Sequence, residues 1–363
     1  MKLTKKSRVL AVFAITCLCI AIFGVRYHFQ APSLEETIWG EKIDCRDFEP
    51  IVNSYVMKRL KQVDQSGPAR YLGPTLPAFS RYEHSLGVFA ILKKAGSSKK
   101  ELAAGLLHDA SHTVFSHVGD YIWAKNINDY SQESFQDRIH LSYLHQNKID
   151  SALKQMGMSL GDIDIDKNDY KALEQKLPDM CADRIQYNIH TGVILGRISK
   201  KDAKQIMDDL KFDEEKWFFS DPKIAAKFAN LSLDFTQNFW GAKWNVSMNI
   251  HFAQALKRAL ALNIITTKDL FSTDRIVMNK LIKNQDHLIQ LNLQQCKNPT
   301  EKISGQKYRS EIFHPKFRGI DPLIKTENGG FKRLSDFDSD FKNKYESVKK
   351  WCEVGFEMDI LIA

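Results

Sequence analysis

Apolar residues recur three and four positions apart along most of the chain, and that spacing predicts helices. Pro50 opens Ile51–Val63, where Ile51, Val52, Tyr55, Val56 and Leu60 fall near one face. Residues 64–79 break the pattern with Gly67, Pro68, Gly73, Pro74 and Pro77 and read as loop. Ser80-Arg81-Tyr82-Glu83 then has the form of a capping box, in which Ser80 accepts from an early amide and Glu83 reaches back. The helix it opens runs to Lys94 or Ala95 and closes at Gly96. Ser98-Lys99-Lys100-Glu101 repeats the device and opens a helix through His108. A connection that short makes the two helices close to antiparallel. Further helical stretches are predicted over 131–163, Met180–Leu195, 203–210, 222–238, 247–263 and 275–291. The last hundred residues are less regular, with Gly319, Pro322 and Gly329-Gly330. The pattern predicts an all-α fold with additional C-terminal helices.

One apolar run has no polar face. Val9–Val25 follows Lys2, Lys5, Lys6 and Arg8, and as a helix it would span about 25 Å. With flanking bases that snorkel, such a length crosses a hydrocarbon core. The run predicts a single-pass N-terminal membrane anchor helix, with a cleaved signal peptide as the alternative. The flanking charge places the main domain on the non-cytoplasmic side. The expected organisation is 1–30 as the anchor, 31–200 as the domain that carries chemistry, and 201–363 as a helical extension packed on it.

Composition narrows the function classes. The 363 residues are 43% hydrophobic and 26% charged, which suits one large core or two domains and excludes a disordered chain. Net charge is +8, but the first 30 residues hold five bases and no acid. The remainder is nearly balanced, so the basic character is no signal for nucleic acid. Positions 297–350 carry 13 Lys or Arg against 8 Asp or Glu, without the aromatic interleaving of a nucleic-acid face. The expected partner is a membrane engaged through residues 9–25, with no nucleic acid; a homo-oligomer is left open. Six cysteines are too few for a disulfide scaffold, and buried thiols and disulfides both remain open for the four beyond the apolar run.

The candidate chemistry is concentrated. His84, His108, Asp109, His112 and His117 fall within 34 positions. His84 sits one turn into its helix and His108-Asp109 ends the next, so the antiparallel hairpin can bring the three together. Two imidazoles and a carboxylate make an incomplete shell for a divalent metal. Asp183 is the best fourth ligand: Asp183, Tyr187 and His190 form a polar stripe on an otherwise apolar helix, and a carboxylate there needs a partner or a metal. Taken singly, these residues read blandly. A His-Asp pair is usually a surface or capping pair, and a lone His117 is usually a satisfied core histidine. Arg81 either neutralises a substrate charge or pairs with Glu83. Asp109 ends a helix at a water-accessible site, so its removal is expected to cost the fold little.

The motifs also carry a resemblance. Arg81–Val88 reads RYEHSLGV, Leu106–His117 reads LLHDASHTVFSH, and Ala182–Tyr187 reads ADRIQY. This ordered set resembles the HD superfamily of metal-dependent phosphohydrolases, closest to the branch of the deoxynucleotide triphosphohydrolases and their bacterial relatives. Weaker similarity runs through FDEEKWFFSDPKIAAKFA and KFRGIDPL. The resemblance implies an all-α HD-domain helical core around one divalent ion, with Mn, Mg, Fe, Ni and Zn as candidates. It implies His84, His108, Asp109 and Asp183 as ligands, and it places His112 and His117 near the substrate phosphate. The implied function is cleavage of a small-molecule phosphate ester, a nucleotide among the candidates, by a metal-activated water. His112, His117 and Arg81 are the candidate catalytic residues. The chain departs from the family where HD-x-G-H is common, having Ala110 and Ser111, and after Tyr187, where Asn188-Ile189-His190-Thr191 stands in place of Arg-Asp. Those departures motivate a second reading, a membrane-tethered and catalytically inactive HD-fold scaffold. A third is an oxygenase with two irons, to which His112 and His140 would contribute.

Overall fold

The computed structural model describes residues 35–123 and 134–362. Among them the helices that matter below are, in chain order, α1 Tyr55–Leu60, α2 Arg81–Lys94, α3 Lys99–Leu107, α4 Val118–Trp123, α5 Phe135–Gln146 and α6 Ala182–Ile194. They continue with α7 Lys200–Asp209, α8 Pro222–Phe235, α9 Lys243–Ala261, α10 Asp274–Lys283, α11 His287–Lys297 and α12 Ser339–Val354. The strands are β1 Glu35–Glu36, β2 Lys42–Ile43, β3 Lys211–Asp213, β4 Lys216–Phe219, β5 Tyr308–Phe313, β6 Leu323–Lys325, β7 Phe331–Arg333 and β8 Phe356–Leu361.

The helices begin where local chemistry dictates. Ser80 accepts from the Glu83 amide and the Glu83 carboxylate accepts from Ser80, so the capping box of α2 is complete. Ser98 caps α3 by accepting from the Glu101 amide. The Glu101 carboxylate does not reach back, however. It turns inward and accepts from the amides of Ala172 and Leu173, 3.0 Å each, tying a distant loop to the hairpin. The helix expected over 275–291 is two helices, because Asp286 accepts from the amides of Leu288 and Ile289 and starts α11 afresh.

Two expectations are corrected. The fold is mostly helical but not all-α. β3, β4, β6 and β7 form a four-stranded sheet in which β4 and β6 run parallel, and β5 pairs antiparallel with β8 over six residues. The β3–β4 hairpin turns on Glu214 and Glu215, both at positive φ. No Asn-Gly or Asp-Gly marks that turn, the signal by which such hairpins are ordinarily legible. The membrane anchor and the non-cytoplasmic location are not supported either. No helix among the described residues is long and apolar enough to cross a membrane, and Val9–Val25 itself lies outside the described residues.

Two apolar cores meet at the chemistry. The first gathers residues of α2, α3, α6, α7 and α8, and includes Ala110. The second gathers α9, α10 and α11 with Val114, Phe115 and Val118. The turn after α3 therefore crosses from one core to the other within five residues, and both cores fix it. The cysteines Cys45, Cys181, Cys296 and Cys352 are buried free thiols, which decides between the two readings for these four.

Candidate metal centre

The α2–α3 hairpin and the start of α6 build the site. α3 ends at Leu107, and His108 is its C-cap. Asp109 and His112 therefore stand on a tight turn, with the His112 amide donating to the Asp109 carbonyl at 3.1 Å. His84 Nε2 lies 3.2 Å from His108 Nε2, 3.6 Å from Asp109 Oδ2 and 3.0 Å from Asp183 Oδ1. His108 Nε2 lies 3.6 Å from Asp109 Oδ1 and 3.7 Å from Asp183 Oδ1. Donor atoms held at 2.0–2.3 Å around one ion stand about 3–3.7 Å from one another, and this set matches. The structure thus brings together all four expected ligands, and His84, His108 and Asp109 form a group that could hold a metal ion.

The neighbours aim the donors. His84 Nδ1 donates to Gln186 Oε1 at 2.5 Å, and His108 Nδ1 donates to the Gly105 carbonyl at 2.7 Å. With both Nδ1 atoms engaged, both Nε2 atoms face the common point, which is the orientation a metal requires of them once His108 gives up its proton. Arg81 Nη1 donates to Asp109 Oδ2 at 2.5 Å, and Arg81 is 2% exposed. Burial opposes the charge on Asp109, but Arg81, His108 and His112 outweigh it and hold its pKa well below the usual range. Burial opposes the Asp183 carboxylate too, and His108 and His84 outweigh it in the same direction. Burial disfavours a charged His108, yet Asp109 and Asp183 overcome that and lift it to about 9. Two carboxylates held ionised beside two imidazoles are a donor set that a divalent cation fits.

The remaining expected residues are placed as follows. His112 Nε2 is 3.2 Å from Asp109 Oδ1, and its Nδ1 is buried without a partner. Burial, then Arg81, pulls its pKa down to about 3. His117 is half exposed, sets its ring edge-on to His112 at 4.9 Å and pairs with Asp120. Arg81 does not face Glu83; its guanidinium is taken up by Asp109 and Ser116. Arg184 turns away from the centre to Glu174 at 2.9 Å. Tyr187 packs on Trp240, and His140 shares a hydrogen bond with Ser111 Oγ at 2.9 Å.

Gln186 is the residue that sequence reasoning passed over. Its side chain lies directly against Gly87, where an added Cβ would sit 2.4 Å from Gln186 Nε2. The glycine three residues after His84 was the available signal: it leaves room on α2 for a side chain from α6. Gln186 Nε2 in turn contacts His190 Nδ1 at 3.3 Å, and His190 stacks on Phe79.

A helical hairpin and a third helix that present a His, a His-Asp pair and a remote Asp to one point define a class of helical metal-binding domain. The HD domain pattern matches residues 81–179, and the chain belongs to the HD-domain family. The uncharacterized protein YdhJ of Bacillus subtilis is 31% identical over 293 residues, 80% of this chain and 88% of that protein. A metal-dependent phosphohydrolase, cns2 of Cordyceps militaris, is 29% identical over 182 residues, 49% of this chain and 50% of its own length. Two crystal structures share the fold. A hypothetical protein from Aquifex aeolicus superposes with a TM-score of 0.63 at 17% identity, over 86% of this chain and 97% of its own. A phosphohydrolase from Bacteroides thetaiotaomicron does so with 0.62 at 15%, over 84% and 94%. Family and relative support a metal-dependent phosphohydrolase in general terms.

Proposed function

We propose that the chain hydrolyses a phosphate ester with one divalent ion held by His84, His108, Asp109 and Asp183. The observation that carries this reading is the convergence of their donor atoms at mutual distances suited to a single ion. When bound there, Mn, Mg, Fe, Ni or Zn supplies a Lewis acid and an acidified water. The chain's own residues do the rest. Arg81 acts through Asp109, keeping it ionised and aimed. His112, beside Asp109 with a ring nitrogen unpartnered, orients the phosphate. His117, half exposed and edge-on to His112, supports it from the solvent side.

A nucleotide is the substrate to test first. Burial, then the nearby Arg318, holds the Lys316 pKa below its usual value, and Arg318 also acts on Tyr187 of α6, so two bases stand on that side of the helix. Such a pair suits a substrate with several negative charges, as in the deoxynucleotide triphosphohydrolase branch that the motifs resemble. The test is a screen of the purified full chain against nucleotides and simple phosphate esters with each of the five metals. Turnover with at least one metal, abolished by chelator and by Asp183→Ala, is the expected result. Bound metal without turnover on any substrate would overturn the reading.

A further inference from the structure

Arg59 and Asp274 are buried ionisable groups that the proposed chemistry does not use. Arg59 on α1 is 3% exposed, and Asp274 at the start of α10 is 0% exposed. Both lie outside the residues that match the HD domain pattern. Arg59 Nη2 donates to the Ala110 carbonyl at 3.0 Å and to the His112 carbonyl at 2.6 Å, while Nη1 reaches the Ser272 carbonyl at 3.4 Å. Asp274 Oδ1 accepts from the Phe115 amide at 2.8 Å, and Oδ2 accepts from the Asp64 amide at 2.9 Å and from the Tyr71 hydroxyl at 3.2 Å. Arg59 takes carbonyls and Asp274 an amide of the same turn, the one that carries Asp109 and His112.

That turn needs to be held. Phe115 and Ser116 have φ of 58° and 60°, a region that non-glycine residues, bulky ones above all, rarely adopt. Gly67 lets the Phe115 carbonyl come close, since a Cβ there would lie 2.6 Å from that oxygen. The end of the turn passes the constraint onward. Ser116 Oγ donates to the Asp64 carbonyl at 2.5 Å and accepts from Arg81 Nε at 2.8 Å. Arg81 Nη1 then grips Asp109.

We propose that Arg59 and Asp274 are positioning residues for the metal centre: they clamp the turn from 110 to 116, whose Ser116 aims Arg81 at Asp109. The inference rests on the metal-centre reading above. An arginine suits the first role because its planar fork can serve several carbonyls at once, where a lysine offers a single point of charge. A carboxyl group suits the second because each of its oxygens faces a backbone amide and accepts from it, where an asparagine would turn an N–H toward one of the amides.

The test is cobalt binding, followed by visible absorption, in the full chain and in Arg59→Lys, Asp274→Asn and Ser116→Ala. Each is read at a temperature where circular dichroism shows it folded. Ser116→Ala removes only a hydroxyl and keeps the test available if the Arg59 and Asp274 variants fail to fold. Leu281→Ala, seven residues along α10 from Asp274, buried, and without a hydrogen bond to the clamp through its side chain, controls for plain destabilisation. The expected result is at least a tenfold loss of cobalt affinity, within the roughly 10–100-fold range seen when partners of metal ligands are removed, with a shifted absorption band. Leu281→Ala should melt earlier with cobalt affinity unmoved. Wild-type affinity and spectrum in the folded clamp variants would overturn the inference alone. A wild-type chain that binds no cobalt would overturn the metal-centre reading and this inference with it.

Discussion

Asp109 and Asp274 are both buried carboxylates on either side of one turn, and their surroundings treat them in opposite ways. Asp109 faces Arg81, His108 and His112, which overcome its burial and keep it ionised. Asp274 faces two backbone amides, the Tyr71 hydroxyl and a second acid, Asp64, and burial lifts it to about 7. Burial by itself therefore does not mark a metal ligand. What separates the two is the company: an arginine and convergent imidazoles at one, backbone amides to be capped at the other. The first arrangement stores charge for an incoming cation, and the second spends hydrogen-bonding capacity on shape.

The largest effect that tests this contrast comes from comparing two ligand deletions. Asp109→Ala and Asp183→Ala should each cut turnover by on the order of 10³-fold or more, since each removes several kcal/mol of metal-derived stabilisation. Their costs to the fold should differ. Asp109→Ala strands the buried Arg81 guanidinium, and losing one partner of a buried pair costs about 3–5 kcal/mol. This corrects the expectation that removing Asp109 would cost the fold little; the residue is 6% exposed rather than water-accessible. The Asp183 side chain is 29% exposed and leaves no such orphan, so its deletion should cost less than half as much. Urea unfolding with chelator present reads the difference, and equal costs would erase the contrast.

A smaller effect is expected at Gln186. Gln186→Ala removes the acceptor that fixes the His84 tautomer and should weaken metal binding by about 10–100-fold, with little change in chelator-treated stability. Gln186→Glu keeps an acceptor and should recover most of the affinity. Equal losses in both variants would mean that packing against Gly87, not the hydrogen bond, is what Gln186 contributes.

The smallest effect is a pH dependence at Asp274. A carboxyl whose folded pKa is raised binds its proton more tightly folded than unfolded. Its stabilising contribution is therefore complete below about pH 4 and is lost as pH climbs toward about 7. The penalty of Asp274→Asn, measured by urea unfolding in chelator, should accordingly be larger at pH 5 than at pH 8. A penalty that grows with pH would show that Asp274 is ionised throughout and stabilised by its partners.

The local parts of this account were legible in the sequence. Ser80 and Glu83 fixed the start of α2, the short link to Ser98 fixed the hairpin, and the polar stripe on α6 singled out Asp183. What escaped depends on contacts that no local pattern encodes. Gln186 reaches His84 across 102 positions, and Asp274 reaches Phe115 across 159. The strands escaped for a related reason. β4 pairs with β6 more than a hundred residues later, and short three-residue and four-residue strands hold too little alternation to be read alone. The single helix expected over 275–291 failed at Asn284-Gln285-Asp286, where the apolar period carries on but Asp286 begins a new helix.

The most direct test of the central claim is anomalous diffraction from crystals of the full chain grown with manganese or cobalt. The account predicts one strong peak at about 2.0–2.3 Å from His84 Nε2, His108 Nε2 and carboxylate oxygens of Asp109 and Asp183. Glu174, Cys181 and Asp183 form a second group whose ligand atoms also lie within 4.8 Å of one another. A peak there, with the His84–His108–Asp109 site empty, would contradict the account.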